Sequence, residues 1–186
     1  MRKNFGAKPY LYPMPVLMIA SYDENEIVDV MNAAWGCIAD MNRVAIYLGA
    51  DHKSTKNILT RGAFTVSMAD AEHVVEADYF GVVSANNAPD KFAKSGMHAV
   101  KSEFVDAPII EEFSLTMECK MVSYDEESEL MIGEIVNVCA DESILDENGK
   151  IDVKKLNPIT YDPANHGYYT LGEKVGHAFK DGMQLK

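Results

Sequence analysis

The stretch from Ser114 to Asp141, SLTMECKMVSYDEESELMIGEIVNVCAD, most narrows what this chain can become. Two long β-rich runs, SLTMECKMVSYD and ELMIGEIVNVCAD, meet around the acidic YDEESE and read as one long antiparallel hairpin. In the first run Leu115, Met117, Cys119 and Met121 recur at every second position, which places them on one face of a strand. Such a hairpin has edges to protect, and the rest of the chain supplies strands to protect them.

PVLMIASYD (15–23) and IVDVMN (27–32) flank the polar turn DENE and form a second hairpin. NAAWGCIAD (32–40) lacks strand alternation and reads as a compact connection or helical turn. RVAIYLG (43–49) is a strand, STKNILTRG (54–62) a short helix closed by Gly62, and AFTVSM (63–68) a strand. EHVVEADYFGVVS has helical spacing, and PDKFAKSG is a short helix stopped by Gly96. HAVKSEFV is read as a strand, LDENGK as a turn, and NPITYD and GYYTLG as closing pieces. No repeat, linker or low-complexity segment is visible. Residues 1–186 are read as one domain, mainly β with short helices, whose strands close into an antiparallel barrel.

Charge excludes some functions. Asp and Glu number 29 against 17 Lys and Arg, a formal net charge of −12, which disfavours a broad nucleic-acid or anionic-membrane surface. The start MRKNFGAKPYLYPMP has no apolar core before its prolines, so a signal peptide is not expected. Apolar runs such as Val16–Ala20 are too short to cross a bilayer. Cys37, Cys119 and Cys139 show no CxxC spacing and fit small buried thiols in a reducing cytoplasm.

Against this acidic background, DHKSTKNI gathers His52, Lys53, Ser54, Thr55 and Lys56 where a helix begins. Free backbone N–H groups and a positive helix dipole there, the Ser54 and Thr55 hydroxyls, and the ammonium groups of Lys53 and Lys56, three apart on one face, together suit a phosphate. Ser54 or Thr55 can equally be a plain cap beside ordinary surface lysines. No GxxxxGK[ST] and no GxGxxG follow a strand, so neither a P-loop nor a Rossmann site is indicated. The histidines His52, His73, His98, His166 and His177 lack close metal-ligand spacing, and no nucleophile elbow frames a serine. With no evident acid–base machinery in the chain, a cofactor that carries its own chemistry is favoured.

NAAWGCI holds the sole tryptophan, Trp35, beside Ala33, Ala34 and Gly36; it suits a flat ligand, and equally a packed core indole. Lys91 in PDKF, taken alone, is a helix-surface residue. The order of YPMPVLMIAS, NAAW, HKSTKNILTRGAFTVSM, DKFAKSG, IGEIVNV and PITYD…GYYTLGEKVGHAF resembles the flavin reductase-like, FMN-binding split-barrel family, in particular its flavoredoxin-like branch. That resemblance implies an FMN-binding split β-barrel, commonly a homodimer with flavins near the subunit interface. It implies that Asn32, Ala33, Ala34 and Trp35 line the ring and ribityl chain, that Lys53, Ser54 and Thr55 receive the phosphate, and that Lys91 approaches the flavin. It further implies an oxidoreductase or electron carrier working with NAD(P)H or a redox protein partner; the rival reading is a flavin- or small-ligand-binding module without turnover. Relatives often carry a His shortly before the GEI strand, where this chain reads ESELMIGEI, with Glu129 nearby. Tyr168 or Tyr169 in HGYY is expected to cover the cofactor, the sequence not choosing between them.

Overall fold

The computed structural model describes residues 1–186. The chain order is β1 (Met14–Pro15), β2 (Leu17–Tyr22), β3 (Val28–Ala33), β4 (Gly36–Asp40), β5 (Arg43–Tyr47), α1 (Lys53–Arg61) and β6 (Ala63–Met68). Then follow α2 (Val74–Val82), α3 (Lys91–Ser95), β7 (Ala99–Lys101), β8 (Pro108–Ile110), β9 (Leu115–Asp125) and β10 (Leu130–Ala140). The chain closes with α4 (Val153–Leu156), β11 (Ile159–Asp162) and β12 (Gly167–Thr170), and no helix is long and apolar enough to cross a membrane.

Seven strands form one antiparallel sheet in the order β3-β2-β6-β9-β10-β5-β4. Its two edges, β3 and β4, are consecutive in sequence and joined only by Ala34 and Trp35. Three Cα–Cα steps reach at most about 11 Å. The far edges of the sheet therefore lie side by side, and the sheet must curl. No ladder hydrogen bonds join β3 to β4, so the barrel is split along that seam.

Because the sheet curls, its central strands are covered on both faces, and β2 shows this residue by residue. Leu17 and Ile19 join Val44, Ile46, Ile58, Phe64, Val66, Cys119 and Met131 in the core that α1 helps close. Val16, Met18 and Ala20 face the other way, into a second core with Ala77, Phe80, Ile110, Phe113 and Ile159, which α2 and the β8 and β11 strands cover. Both cores account for the near-continuous apolar run VLMIA.

The β9–β10 hairpin is as the sequence predicts. Met117, Cys119 and Met121 pack on one core, while register shifts leave Val122 of β9 and Val136 of β10 unpaired, and adjacent Glu118 and Cys119, both buried, interrupt the alternation of β9. Gly133 sits where an added Cβ would lie 2.5 Å from Phe64 Cζ. The α1 and α3 helices end on Gly62 and Gly96 at φ of 70° and 74°, as their sequences predict.

Other expectations are corrected. NAAWGCIAD holds strand β4, paired to β5 with Gly36 opposite Ile46. Its alternation is absent because residues 37–40 are exposed at the sheet edge, so no in–out pattern is imposed. HAVKSEFV contains only the short β7, which pairs with β8 outside the main sheet. Of the three thiols, Cys119 is buried and pushed up to about 12 by desolvation, but Cys37 is exposed on that same edge.

Candidate functional site

The α1 helix starts behind His52, whose backbone is extended and whose side chain makes no capping bond. The first helical N–H with an intrahelical acceptor is that of Lys56, to His52 O at 3.2 Å. Neither hydroxyl of the predicted pair caps the helix. Ser54, 2% exposed, donates to Asp29 Oδ2 at 2.6 Å, and Thr55, fully buried, donates to Gly49 O at 2.8 Å. Both face β3 and the preceding loop, whose buried acceptors need donors, and so the start of the helix is left without a side-chain cap.

Lys53 is partly exposed, with Nζ 3.7 Å from Asp23 Oδ2. Burial pushes the Asp23 carboxyl up, but the N–H groups of Ile27 and Asn25 and the Lys53 ammonium outweigh it and leave it below the usual carboxylate range. Lys91 opens α3 and is only 3% exposed, which is rare for a lysine without a partner. Its Nζ donates to Phe80 O at 3.1 Å, lies 5.8 Å from the Phe80 ring centroid and 3.9 Å from Asp29 Oδ1. Desolvation lowers its pKa, and Asp29 partly restores it.

These groups surround a cleft of about 170 Å³, walled by β3 (Asp29, Asn32), the start of α1 (Lys53, Ser54), the end of α2 (Phe80, Gly81) and Lys91. The cleft continues past Asn32 and Gly81 into a recess of about 360 Å³ bounded by Ala34, Asp78, Tyr161, His166 and Tyr168. Ala34 also borders a third, apolar recess of about 650 Å³ with Leu11, Pro13, Trp35 and Tyr47. Through these shared residues the three adjoin as a groove. It runs along the end of β3 and over the barrel seam, from an uncapped helix start to the indole.

Asn32 anchors the middle of the groove by donating Nδ2 to Ala77 O at 2.9 Å. Gly81 lies against it, since an added Cβ would be 3.3 Å from Asn32 Cβ. Tyr168 donates to Asp78 Oδ1 at 2.9 Å; desolvation first, then that carboxylate, push its phenol up to about 12. Tyr161 and His166 are linked at 2.7 Å on the same wall. Tyr168 thus lines the groove, and Tyr169 is exposed and does not.

Of the residues singled out from sequence, Asn32, Ala34, Trp35, Lys53, Ser54 and Lys91 border this groove. Ala33 alternates inward to the barrel core, and Thr55 is buried behind the helix start. Trp35 is 59% exposed, so it is no core residue. Glu129 is exposed at the hairpin tip with φ of 59°, its carbonyl taking the Leu48 N–H, and it borders none of the three recesses. Sequence reasoning missed Asp29, Asp78, Gly81, Tyr161 and His166. Asp29 carried a signal, as a lone acid inside the strand IVDVMN.

The groove's chemistry fits a flavin nucleotide: unsatisfied amides and a cation at one end, a narrow polar middle, and an apolar recess with an indole at the other. Asp29 Oδ1, buried and without a protein donor, is an acceptor in the polar middle. Comparison with known proteins agrees in kind. A flavoredoxin of Desulfovibrio vulgaris (Miyazaki F) is 36% identical, with a TM-score of 0.94 over 98% of this chain and 100% of that one. A flavoredoxin of Methanosarcina acetivorans is 25% identical, with a TM-score of 0.90 over 100% of both chains. An uncharacterised protein of Aquifex aeolicus (strain VF5) is 31% identical over 108 residues, 57% of this chain and 55% of that protein. A second, from Aeropyrum pernix, is matched over 48% of its length, so the chain spans about half the length of the curated relatives it matches. A sequence model of the flavin reductase like domain matches residues 10–170, and the chain belongs to that family.

Proposed function

We propose that the groove binds FMN and that the protein is a flavin-dependent oxidoreductase or electron carrier of the flavin reductase/flavoredoxin type. One observation carries the reading: adjoining recesses, which share Asn32 and Gly81 and then Ala34, lead from the uncapped start of α1 to Trp35 beside the barrel seam. The flavin supplies the hydride- and electron-accepting chemistry when bound. The chain's own residues bind and orient it. Free N–H groups at Lys53 and Ser54, with the Lys53 ammonium, hold the phosphate; Ser54 Oγ stays on Asp29, and Thr55 supports the turn from behind. Asn32 and Ala34 flank the polyol and ring, Ala33 fixes the strand from inside, and Trp35 closes the apolar end. Lys91, buried and cationic, stabilises negative charge near the polar middle of the groove.

Residues 1–186 act as one unit, in a reducing cytoplasm that keeps the three thiols free. The working form is a homodimer. Phe5, Leu11, Val175, Phe179 and Leu185 stand largely exposed on the terminal segments, and Trp35 and Ile38 are exposed beside the seam. A second copy would cover such surface near the flavin. NAD(P)H or a redox protein partner delivers or removes electrons.

The test is direct. Purified protein, loaded with FMN if needed, should show a flavin spectrum and release FMN on denaturation. Steady-state oxidation of NADH and NADPH then separates a reductase from a carrier that needs a protein partner. A protein that binds FMN but exchanges electrons with no donor would be a binding module without turnover. Failure to bind any flavin would overturn the reading.

A further inference from the structure

Asp29 lies on β3 opposite Ser21, 5% exposed, at the floor of the cleft beside α1. Its Oδ2 is engaged by Ser54 Oγ at 2.6 Å. Its Oδ1 receives no hydrogen bond from any protein atom. The nearest cation, Lys91 Nζ, is 3.9 Å away, too far for a hydrogen bond, and spends one of its three N–H groups on Phe80 O at 3.1 Å. A buried carboxylate oxygen without a donor costs roughly what a lost hydrogen bond costs, so the corner is built for something else.

The ligand chemistry follows from what the two atoms ask for. Asp29 Oδ1 needs a donor, and Lys91 Nζ offers one. An atom at ordinary hydrogen-bond distance from both fits between groups 3.9 Å apart. A phosphate or carbonyl oxygen only accepts, and a phosphate would set its charge against the carboxylate. An ammonium only donates and would face Lys91. A hydroxyl does both, donating to Asp29 and accepting from Lys91.

We propose that Asp29 and Lys91 form a hydroxyl-binding corner that takes a secondary alcohol of the ligand's polyol chain, the ribityl chain if the ligand is FMN. The corner sets the register of the ligand in the groove: the polyol is pinned at Asp29, and the phosphate is directed away from the carboxylate towards Lys53. The inference rests on the flavin reading above and deepens it by assigning a residue that neither sequence motif nor family resemblance singled out.

The experiment titrates apoprotein with lumiflavin, which lacks the polyol, with riboflavin and with FMN. Wild type should prefer riboflavin to lumiflavin, and Asp29→Ala, which removes the acceptor, should shrink that preference at least about tenfold, as loss of a hydrogen bond to a charged group predicts. The further gain of FMN over riboflavin should change by less than about twofold. Mono-deoxyribityl riboflavins tested on wild type give a result independent of the variant's folding: one of them should bind at least about tenfold more weakly than riboflavin. Two outcomes overturn the corner: Asp29→Ala weakening lumiflavin and riboflavin equally, as a structural or water-held carboxylate would, or every deoxy analogue binding like riboflavin. A rise in the FMN gain would also overturn it, by placing the carboxylate at the phosphate. Wild type binding none of the three flavins would instead overturn the flavin reading itself, and the corner with it.

Discussion

Replacing Lys53 by Ala tests the phosphate end of the groove with a magnitude that the structure constrains. Lys53 already has a partner, Asp23 at 3.7 Å, and its side chain is about a third exposed (31%). Such a pair contributes about 0.2–1 kcal/mol. Asp23 keeps the N–H groups of Asn25 and Ile27 at 2.8 and 2.9 Å whether or not Lys53 is present, so the variant should fold and lose less than about 1 kcal/mol. A charge-assisted bond to phosphate is worth about 1.5–3 kcal/mol, from which leaving Asp23 must be subtracted. The net, about 0.5–2.8 kcal/mol, weakens FMN by roughly 2- to 110-fold. Riboflavin should lose less than about twofold. Fluorescence titration of apoprotein with both ligands reads the difference, and Lys56→Ala, on the exposed face of α1, serves as the control. Asp23→Asn should act in the opposite direction and tighten FMN slightly, since it frees the ammonium. Equal losses for FMN and riboflavin, or none for either, would refute the assignment of the phosphate to this helix start.

Three further outcomes are expected. Trp35, the only indole, borders the groove, so its emission should fall as FMN saturates the apoprotein; unchanged emission would remove it from the site. Asp162 is held down to about 2 by hydrogen bonds from the Tyr12 hydroxyl, Asn165 and the Ala164 N–H, so its stabilisation is full above the unfolded carboxyl value near 4 and is lost as pH falls through about 2. Tyr12→Phe should raise that pKa in an NMR titration and move acid unfolding to higher pH, and an unmoved pKa would contradict the contact. Gly133→Ala forces a Cβ to within 2.5 Å of Phe64 Cζ and should cost about 1–3 kcal/mol in urea melts, partly recovered by Phe64→Leu in the same chain; an unshifted midpoint would show that the Phe64 ring yields freely.

What could be read from sequence divides along the range of the interactions involved. The β9–β10 hairpin and α1 were legible because their determinants are local: alternation from Leu115 to Met121, a polar turn between two long β-rich runs, and a glycine past the helix end. The edge strand β4 was not, because its register comes from β5 and its exposed side chains carry no pattern. The same divide runs through the site. HKST could be located as a helix start, but the direction of its hydroxyls is decided by Asp29, twenty-five residues away, and by the Gly49 carbonyl. Lys91 looked like a surface lysine because nothing near it in sequence reveals that the Phe80 carbonyl and Asp29 enclose it. Asp29 itself was visible as an acid in a strand, but its empty lone pair is a property of the assembled cleft.

The two-residue link between β3 and β4 has a further consequence for how this chain tolerates change. Adding residues to a flexible surface loop costs little, about 0.6 kcal/mol for each doubling of its length. The tip of the β9–β10 hairpin, residues 126–129, is exposed, away from the groove, and open to such growth. Ala34 and Trp35 are different, because they are the tether that sets the circumference of the sheet. A short insertion there slackens the only covalent restraint between the two free edges and at the same time pulls apart the recesses on either side of Ala34. Length variation should therefore accumulate at the hairpin tip and be excluded at the seam, so that new partner surfaces can be grafted onto one end of the molecule while the geometry of the groove stays fixed.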